Sequence, residues 1–227
     1  MKIETLKKIL NKKNSKVEFS IVTNLNNCNS EIFEPGQSLS KEFENYRSQI
    51  ENYFKLRKNG IIEGTELFVH NYVKPINVFV VGAVHIAQHL IDLVKNLNFE
   101  ITIIDPRNYF TSKQKFSNVN IINEWPEEAL KKIETSSNSA LVALTHDPKI
   151  DDPAIKHAIK NKFFYIGALG SKKTHANRCN RLKENGFSEE EIQSIHGPIG
   201  IKLGGNSAAE IALSIISQLV LVTNKRN

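Results

Sequence analysis

Cysteine is nearly missing from this chain of 227 residues. There are two, Cys28 and Cys179, 151 positions apart and in no CxxC pair. That excludes a disulfide framework or a zinc ribbon and makes a reducing cytoplasm the simplest setting. Long apolar runs are missing too. The longest, Ile211 to Val222, is broken by Ser214, Ser217 and Gln218, and falls short of the ~18–20 uninterrupted apolar residues of a membrane span. No membrane association is therefore expected. The opening MKIETLKKILNKKNSK has charges where a secretory signal would have its apolar block. Arginine is scarce beside lysine. The net charge is +6, yet residues 1–16 alone hold +5 and the rest is close to neutral. A nucleic-acid binder spreads basic residues over a face with arginine prominent, so no nucleic-acid partner is expected. The early lysines read as the solvated face of a short amphipathic helix with Ile3, Leu6, Ile9 and Leu10 on its buried side. No Ser–His–Asp set, HExxH or paired catalytic carboxylate stands out, so no catalytic residue is assigned. His85, His146, His175 and His196 are not at metal-ligand spacing, so no metal site is assigned.

What is present is a chain with 40% apolar and 24% charged residues, enough to build a core in one full domain plus a small one, or in two small domains. Residues 1–75 read as a small α+β unit. After the first helix, Val17–Thr23 is strand-like, and EIFEPG returns as a second strand closed by Pro35-Gly36. Residues 39–57 place Leu39, Phe43, Tyr46, Ile50, Tyr53 and Phe54 on one helical stripe, and 60–73 read as strand, turn, strand.

From residue 76 to 227 the pattern changes to apolar strands alternating with helices. Strands are expected at Asn77–Val81, Ile101–Ile104, Val119–Ile122, Ala140–Leu144 and Phe163–Ile166. Helices are expected after Gly82 to about Leu97, at Pro126–Glu134, Pro153–Lys160, 172–185, 188–195 and Ser207–Val222. Short, wholly apolar strands between helices predict a parallel sheet covered on both faces: an α/β, Rossmann-like domain.

Three turns at strand ends could carry chemistry. Gly82-Ala83-Val84-His85-Ile86-Ala87 opens a helix, and Asp105 ends the next strand 23 residues after Gly82. That spacing suits a dinucleotide fold, with the turn and helix N-terminus on a pyrophosphate and the acid on a ribose hydroxyl. NAD(P) or FAD is then a possible cofactor, and an oxidoreductase using the crevice a second reading. Val84 stands where the GxGxxG fingerprint has glycine, and a Rossmann-type turn that binds no dinucleotide explains the segment equally well. Arg107, two residues past Asp105, suits a phosphate or carboxylate, or a surface ion pair. Thr145-His146-Asp147 lies past another strand, where open α/β sheets form their crevice. Gly167-Ala168-Leu169-Gly170-Ser171, with Lys172, Lys173 and His175 following, is a further glycine-bearing turn suited to an anion or simply an αβ turn. Residues 197–205 hold four glycines, including Gly200, Gly204 and Gly205, which implies a backbone passing close to a ligand or a partner chain.

Read together, five segments resemble the XdhC/CoxI family of xanthine dehydrogenase accessory proteins. They are VVGAVHIAQHL (80–90), ITIIDPRNYF (101–110), ALTHDPKIDDPAI (143–155), FYIGALGSKKTHANRCNRLKENGFSEEEI (164–192) and IHGPIGIKLGGNSAAEIALSIISQLV (195–220). The resemblance implies a Rossmann-like C-terminal half. It also implies a maturation factor that binds molybdenum cofactor, assists its sulfuration and delivers it to a xanthine dehydrogenase-type molybdoenzyme, with a sulfur-donating desulfurase as a second partner. The cofactor-binding set it implies is Gly82, Ala83, His85 and Ile86 in the first turn and Asp105 and Arg107 at its rim. Thr145, His146 and Asp147 stand to one side, Gly167 to Ser171 with His175 to the other, and Gly200, Gly204 and Gly205 in the last loop. The chain departs from the family at Val84 and has no glycine-rich segment with cysteine in residues 1–75, so it resembles a short form. Its first helix and small N-terminal unit would suit a homodimer contact.

Overall fold

The computed structural model describes residues 3–14, 17–107, 116, 119–136 and 138–225. The chain divides into two compact units, 1–74 and 75–226.

In the first unit, α1 (Ile3–Asn14) is followed by β1 (Phe19–Asn24), β2 (Ser30–Phe33), α2 (Lys41–Glu44), α3 (Arg47–Lys55), β3 (Gly60–Ile61) and β4 (Leu67–Tyr72). The strands form an antiparallel sheet in the order β2-β1-β4-β3. Alternate residues of β1 serve opposite faces. Val22 joins Phe33, Phe43, Ile50 and Val69 on one side, while Phe19 and Ile21 meet Ile9 of α1 on the other. The expected helix over 39–57 is two helices, interrupted at Asn45-Tyr46. The apolar stripe runs through the break because periodicity records which side is buried, not whether every hydrogen bond of the ladder is made.

The second unit contains β5 (Ile76–Val81), α4 (His85–Val94), β6 (Phe99–Ile104), β7 (Asn120–Ile122), α5 (Pro126–Lys132), β8 (Ser139–Ala143), α6 (Pro148–Lys160), β9 (Tyr165–Ala168), α7 (Lys172–Glu184), α8 (Glu189–Gln193), β10 (Ile195–His196) and α9 (Ala208–Lys225). The six strands are all parallel, in the order β10-β9-β8-β5-β6-β7. Counted within this sheet, that is the Rossmann order 3-2-1-4-5-6, and the order reverses between β5 and β8. The apolar strands explain the layering. Val78 and Val80 of β5 pack with α4 and α9, while Phe79 and Val81 pack with α5 and α6. Fully burying one such side chain stabilises the fold by about 1.5–3 kcal/mol.

Three local outcomes differ from expectation. Helix α6 begins at Pro148 rather than Pro153, because Asp147 caps it by accepting from the Lys149 amide at 2.9 Å and Pro148 takes the first-turn position. Pro153 then sits inside the helix. Strand β9 covers 165–168 instead of 163–166, which brings Gly167 and Ala168 into the sheet. The short edge strand β10 has no counterpart among the expected strands. Helix α9 is long and apolar enough by composition to cross a membrane. One of its faces, with Ala212, Ile215, Ile216 and Leu219, is buried in the same core as α4.

Candidate functional site

The carboxyl ends of β5, β6, β8 and β9 share one edge of the sheet, and the reversal between β5 and β8 opens the crevice there. At that reversal Gly82 has φ +111°, and a Cβ on it would lie 2.8 Å from Thr145 Cγ2. Glycine is required here both by backbone conformation and by the approach of the β8 tip. The next amide, Ala83 N–H, donates to Asp105 Oδ2 at 2.8 Å. Asp105 is fully buried and also accepts from the Arg107 amide (2.9 Å), Arg107 Nε (2.8 Å) and Arg107 Nη2 (2.7 Å). Burial pushes its pKa up, but the Arg107 side chain, the two amides and the guanidinium charge outweigh burial and hold it below the ordinary carboxylate range. Asp105 is thus a clamp between the β5 turn and the β6 tip. A ribose hydroxyl could reach it only by displacing Arg107 or Ala83.

Helix α4 starts from Val84 in extended conformation, and among the described residues no side chain caps it. Its neighbours differ. Asp147 caps α6, and Ser171 caps α7 by accepting from the Thr174 amide at 3.1 Å. His85 is exposed on the first turn of α4, whereas Val84 and Ile86 are half-buried against the core. The branched Val84 side chain therefore turns inward to the core rather than leaving the bare backbone a glycine would give.

The β8 tip is a hydrogen-bonded turn. Thr145 Oγ1 donates to Asp151 Oδ1 at 2.6 Å and accepts from the Asp147 amide at 3.1 Å, while the Thr145 amide also donates to Asp151 Oδ1 at 3.3 Å. Between them His146 is exposed and held at φ +61°, a conformation uncommon outside glycine and one that clusters at functional sites. Asp151 is 1% exposed, and its Oδ2 has no hydrogen-bond partner among the described residues. Burial raises its pKa against the opposing pull of the Thr145 donors and of the Arg178 and His146 charges.

Arg178 of α7 is 2% exposed. Its Nη2 donates to the Leu169 carbonyl at 3.1 Å, which ties α7 to the β9 tip, while Nε and Nη1 have no partner among the described residues. Burial lowers its pKa, and the Asp151 and Asp152 charges oppose that. Beside it Arg181 grips Asp152 through Nε (2.6 Å) and Nη2 (3.0 Å). Asp151, Asp152, Arg178 and Arg181, with His146, Pro148, Thr174 and Asn177, line a pocket of about 160 Å³. Neither Asp151 nor Arg178 is among the residues expected from the sequence. A helix start at Pro153 leaves Asp151 in a loop, and the polar α7 sequence gives no sign that one arginine turns inward. A larger cavity of about 700 Å³ lies along α4 and the first halves of β6 and β7, away from the strand ends.

The structure thus brings Gly82, Ala83, Asp105, Arg107, Thr145, His146 and Asp147 to one edge. The Asp147 and Asp151 charges reach Arg107, and Leu169 joins them through Arg178. Gly170, at φ +142°, would carry a Cβ 3.0 Å from Thr174, so the αβ turn requires it.

Three glycines of 197–205 lie close to side chains of this chain. Added Cβ atoms at Gly197, Gly200 and Gly205 would strike His175, Ser214 and Glu210 respectively, and one at Gly167 would strike Ile199. The close approach seen here is to this chain's own side chains. Gly204, at φ +91°, meets nothing nearby. Gln218 of α9 fastens the loop by accepting from Tyr165 Oη (2.7 Å) and from the Gly200 amide (2.8 Å). The His175 ring lies against Gly197, its Nε2 is 3.6 Å from Cys179 Sγ, and burial, then the Arg178 charge, lower its pKa.

A family model for the XdhC Rossmann domain matches residues 78–219. The molybdenum cofactor insertion chaperone PaoD of Escherichia coli (strain K12) is 36% identical over 102 residues, 45% of this chain and 31% of that protein. A probable xanthine dehydrogenase subunit of Bacillus subtilis (strain 168) is 26% identical over 163 residues, 71% of this chain and 47% of that one. The chain spans less than half the length of either. A crystal structure described as a xanthine dehydrogenase from Bacillus halodurans shares the fold. It superposes with a TM-score of 0.73 at 22% identity, over 99% of this chain and 65% of that one.

Proposed function

The chain belongs to the XdhC family, as its Rossmann-domain match shows, and from that premise we propose that it binds molybdenum cofactor and passes it to a xanthine dehydrogenase-type molybdoenzyme. Similarity to a protein named as a molybdenum cofactor insertion chaperone supports the reading. The structural observation that carries it is the buried Arg178, with two guanidinium nitrogens unpartnered among the described residues at the edge where the strands end. A buried, half-used guanidinium is costly unless something completes it.

The residues present fit a phosphate-bearing planar molecule. The uncapped first turn of α4, with Gly82 letting the chain enter it, is suited to an anion. Arg178, His146 and Asn177 stand toward β8 and β9. The cofactor's own chemistry, oxygen-atom and electron transfer at molybdenum, belongs to the recipient enzyme. This chain's residues bind, orient and release. Asp105 sets the first turn, and Thr145 and Asp151 hold the β8 tip. In its finer form the proposal includes assistance with sulfuration beside a sulfur-donating desulfurase, a step drawn from the family resemblance. We place the chain in the cytoplasm, a setting supported by two free cysteines.

The test is direct. Purified chain is mixed with molybdenum cofactor released from a donor enzyme, separated by gel filtration, and assayed for co-eluting pterin. The loaded chain is then added to apo-xanthine dehydrogenase. Co-elution, with more activity than the same cofactor gives alone, is expected. No co-elution and no gain in activity would end the reading.

A further inference from the structure

We infer that Asp151 and Arg178 form a subsite for the edge of a 2-amino-4-oxopyrimidine ring, the group that pterins and guanine share. Three buried polar atoms, Asp151 Oδ2 and Arg178 Nε and Nη1, have no partner among the described residues, and both residues line the same pocket of about 160 Å³. Buried polar groups in folded proteins are nearly always satisfied, so three in two residues that line one pocket call for a missing complement. A water takes about 30 Å³ of liquid, so the pocket of about 160 Å³ is several waters in size.

The chemistry of that complement follows from the orphaned atoms. Arg178 offers N–H donors and needs an acceptor. A carboxylate oxygen needs a donor. The carboxylates of Asp151 and Asp152 are matched in number by the guanidinium groups of Arg178 and Arg181, with Arg181 bidentate on Asp152 at 2.6 and 3.0 Å, so the four formal charges cancel and the pocket suits a neutral ligand. A phosphate or carboxylate would satisfy Arg178 and then press its own charge on Asp151 Oδ2. A ring edge with a carbonyl oxygen beside N–H groups satisfies both. The carbonyl faces Arg178, and the ring N–H and amino group face Asp151. Such a site discriminates, because a ligand with a carbonyl in place of the amino group sets an acceptor oxygen against the buried carboxylate. The fixed partners support this geometry. Thr145 holds Asp151 Oδ1 from two sides and the Leu169 carbonyl holds Arg178 Nη2, so the unpartnered atoms belong to side chains that are already positioned.

The inference rests on the cofactor-carrier reading for which ligand matters, but its test does not depend on cofactor delivery. The full chain is titrated with pterin, guanosine, lumazine (which has a carbonyl in place of the 2-amino group) and inorganic phosphate. Pterin binding is read from its fluorescence, and the others by calorimetry and competition. Pterin is expected to bind at least ten-fold more tightly than lumazine, and to lose at least ten-fold in Asp151→Asn and in Arg178→Lys. The lumazine comparison uses unaltered protein and holds even where a variant folds poorly. Guanosine binding as well as pterin keeps the subsite and assigns it to the ring shared by both. Binding of pterin alone assigns it to the pterin. Equal affinity for pterin and lumazine, displacement of pterin by phosphate, or no binding of pterin overturns the subsite. A chain that delivers cofactor but shows none of this discrimination loses the subsite and keeps the carrier role. One that discriminates but delivers nothing loses only the carrier role.

Discussion

Replacing Asp105 with asparagine isolates the clamp at the head of the crevice. Each carboxylate oxygen accepts two N–H groups. Oδ1 takes the Arg107 amide and Nε, and Oδ2 takes the Ala83 amide and Arg107 Nη2, all between 2.7 and 2.9 Å. Asparagine keeps one oxygen and presents an NH₂ to the other two donors, so at least two bonds are lost in either orientation. Hydrogen bonds to a charged acceptor contribute about 1.5–3 kcal/mol each. The Arg107 side chain is 36% exposed and can turn to water, so its share is discounted toward the ~0–1 kcal/mol of a surface pair. The one amide that then faces the NH₂ keeps its full cost. Together the loss is about 2–4 kcal/mol, and at ~2–4 °C per kcal/mol for a chain this size, Tm falls by on the order of 5–15 °C.

The pH dependence has a definite sign. The folded-state pKa of Asp105 is depressed, so its stabilisation is present above the unfolded value of 3.8 and is lost as pH falls through the folded one. Thermal unfolding followed by circular dichroism should show the full gap between parent and Asp105→Asn at pH 7, shrinking below pH 3.8. A gap under ~0.5 kcal/mol at pH 7, or one that does not shrink in acid, would refute the clamp.

Gly82→Ala should destabilise by about 1–3 kcal/mol, since its φ of +111° is strained for alanine and the added Cβ meets Thr145 at 2.8 Å; a Tm within a degree of the parent would contradict this. Tyr165→Phe removes the hydroxyl that donates to Gln218 but leaves Gln218 bonded to Gly200, so urea unfolding should show a loss of about 0.5–1.5 kcal/mol. Ser188→Ala breaks a capping box in which Ser188 and Glu191 exchange backbone bonds, and should cost about 0.5–2 kcal/mol, with faster amide exchange confined to α8. Burial, and then the Arg178 charge, lower the His175 pKa. Its imidazole should therefore titrate below 6.5 in an NMR series, and stability should rise with pH across that window, because the unfolded chain holds the extra proton there. A midpoint at or above 6.5 would count against this burial.

Much of the sheet is legible in the sequence because a strand buried on both sides must be apolar at every position. Asn77–Val81, Ile101–Ile104 and Ala140–Leu144 can hardly be anything else between turn residues. Strand order is not legible there, since it depends on which way each crossover passes, and β10, two residues long, carries no pattern. The candidate site is readable in its glycine at 82 and its acid at 105, although the acid's role as a clamp depends on Arg107 folding back onto it. Asp151 is hidden by a competing signal. Pro148 and Pro153 both suit a helix start, and only Asp147's cap decides between them. Arg178 is hidden by its helix, where an inward-facing arginine looks no different from a solvated one until the Leu169 carbonyl is seen to receive it. The glycines of 197–205 do mark a crowded backbone, but the crowding comes from His175, Ser214 and Glu210.

Three helices open beside the reversal of the sheet, and they are not equivalent. Two arrive with their positive ends already answered, by Asp147 and by Ser171, while α4 has no side-chain cap among the described residues. The edge therefore has a compass. An elongated guest with one anionic end gains most by pointing that end at α4, which sends its other end toward the threonine turn and the inward arginine. Orientation would thus be chosen by the helix that lacks a cap rather than by those that have one, and a guest entering backwards would meet helix ends that already hold a side-chain cap.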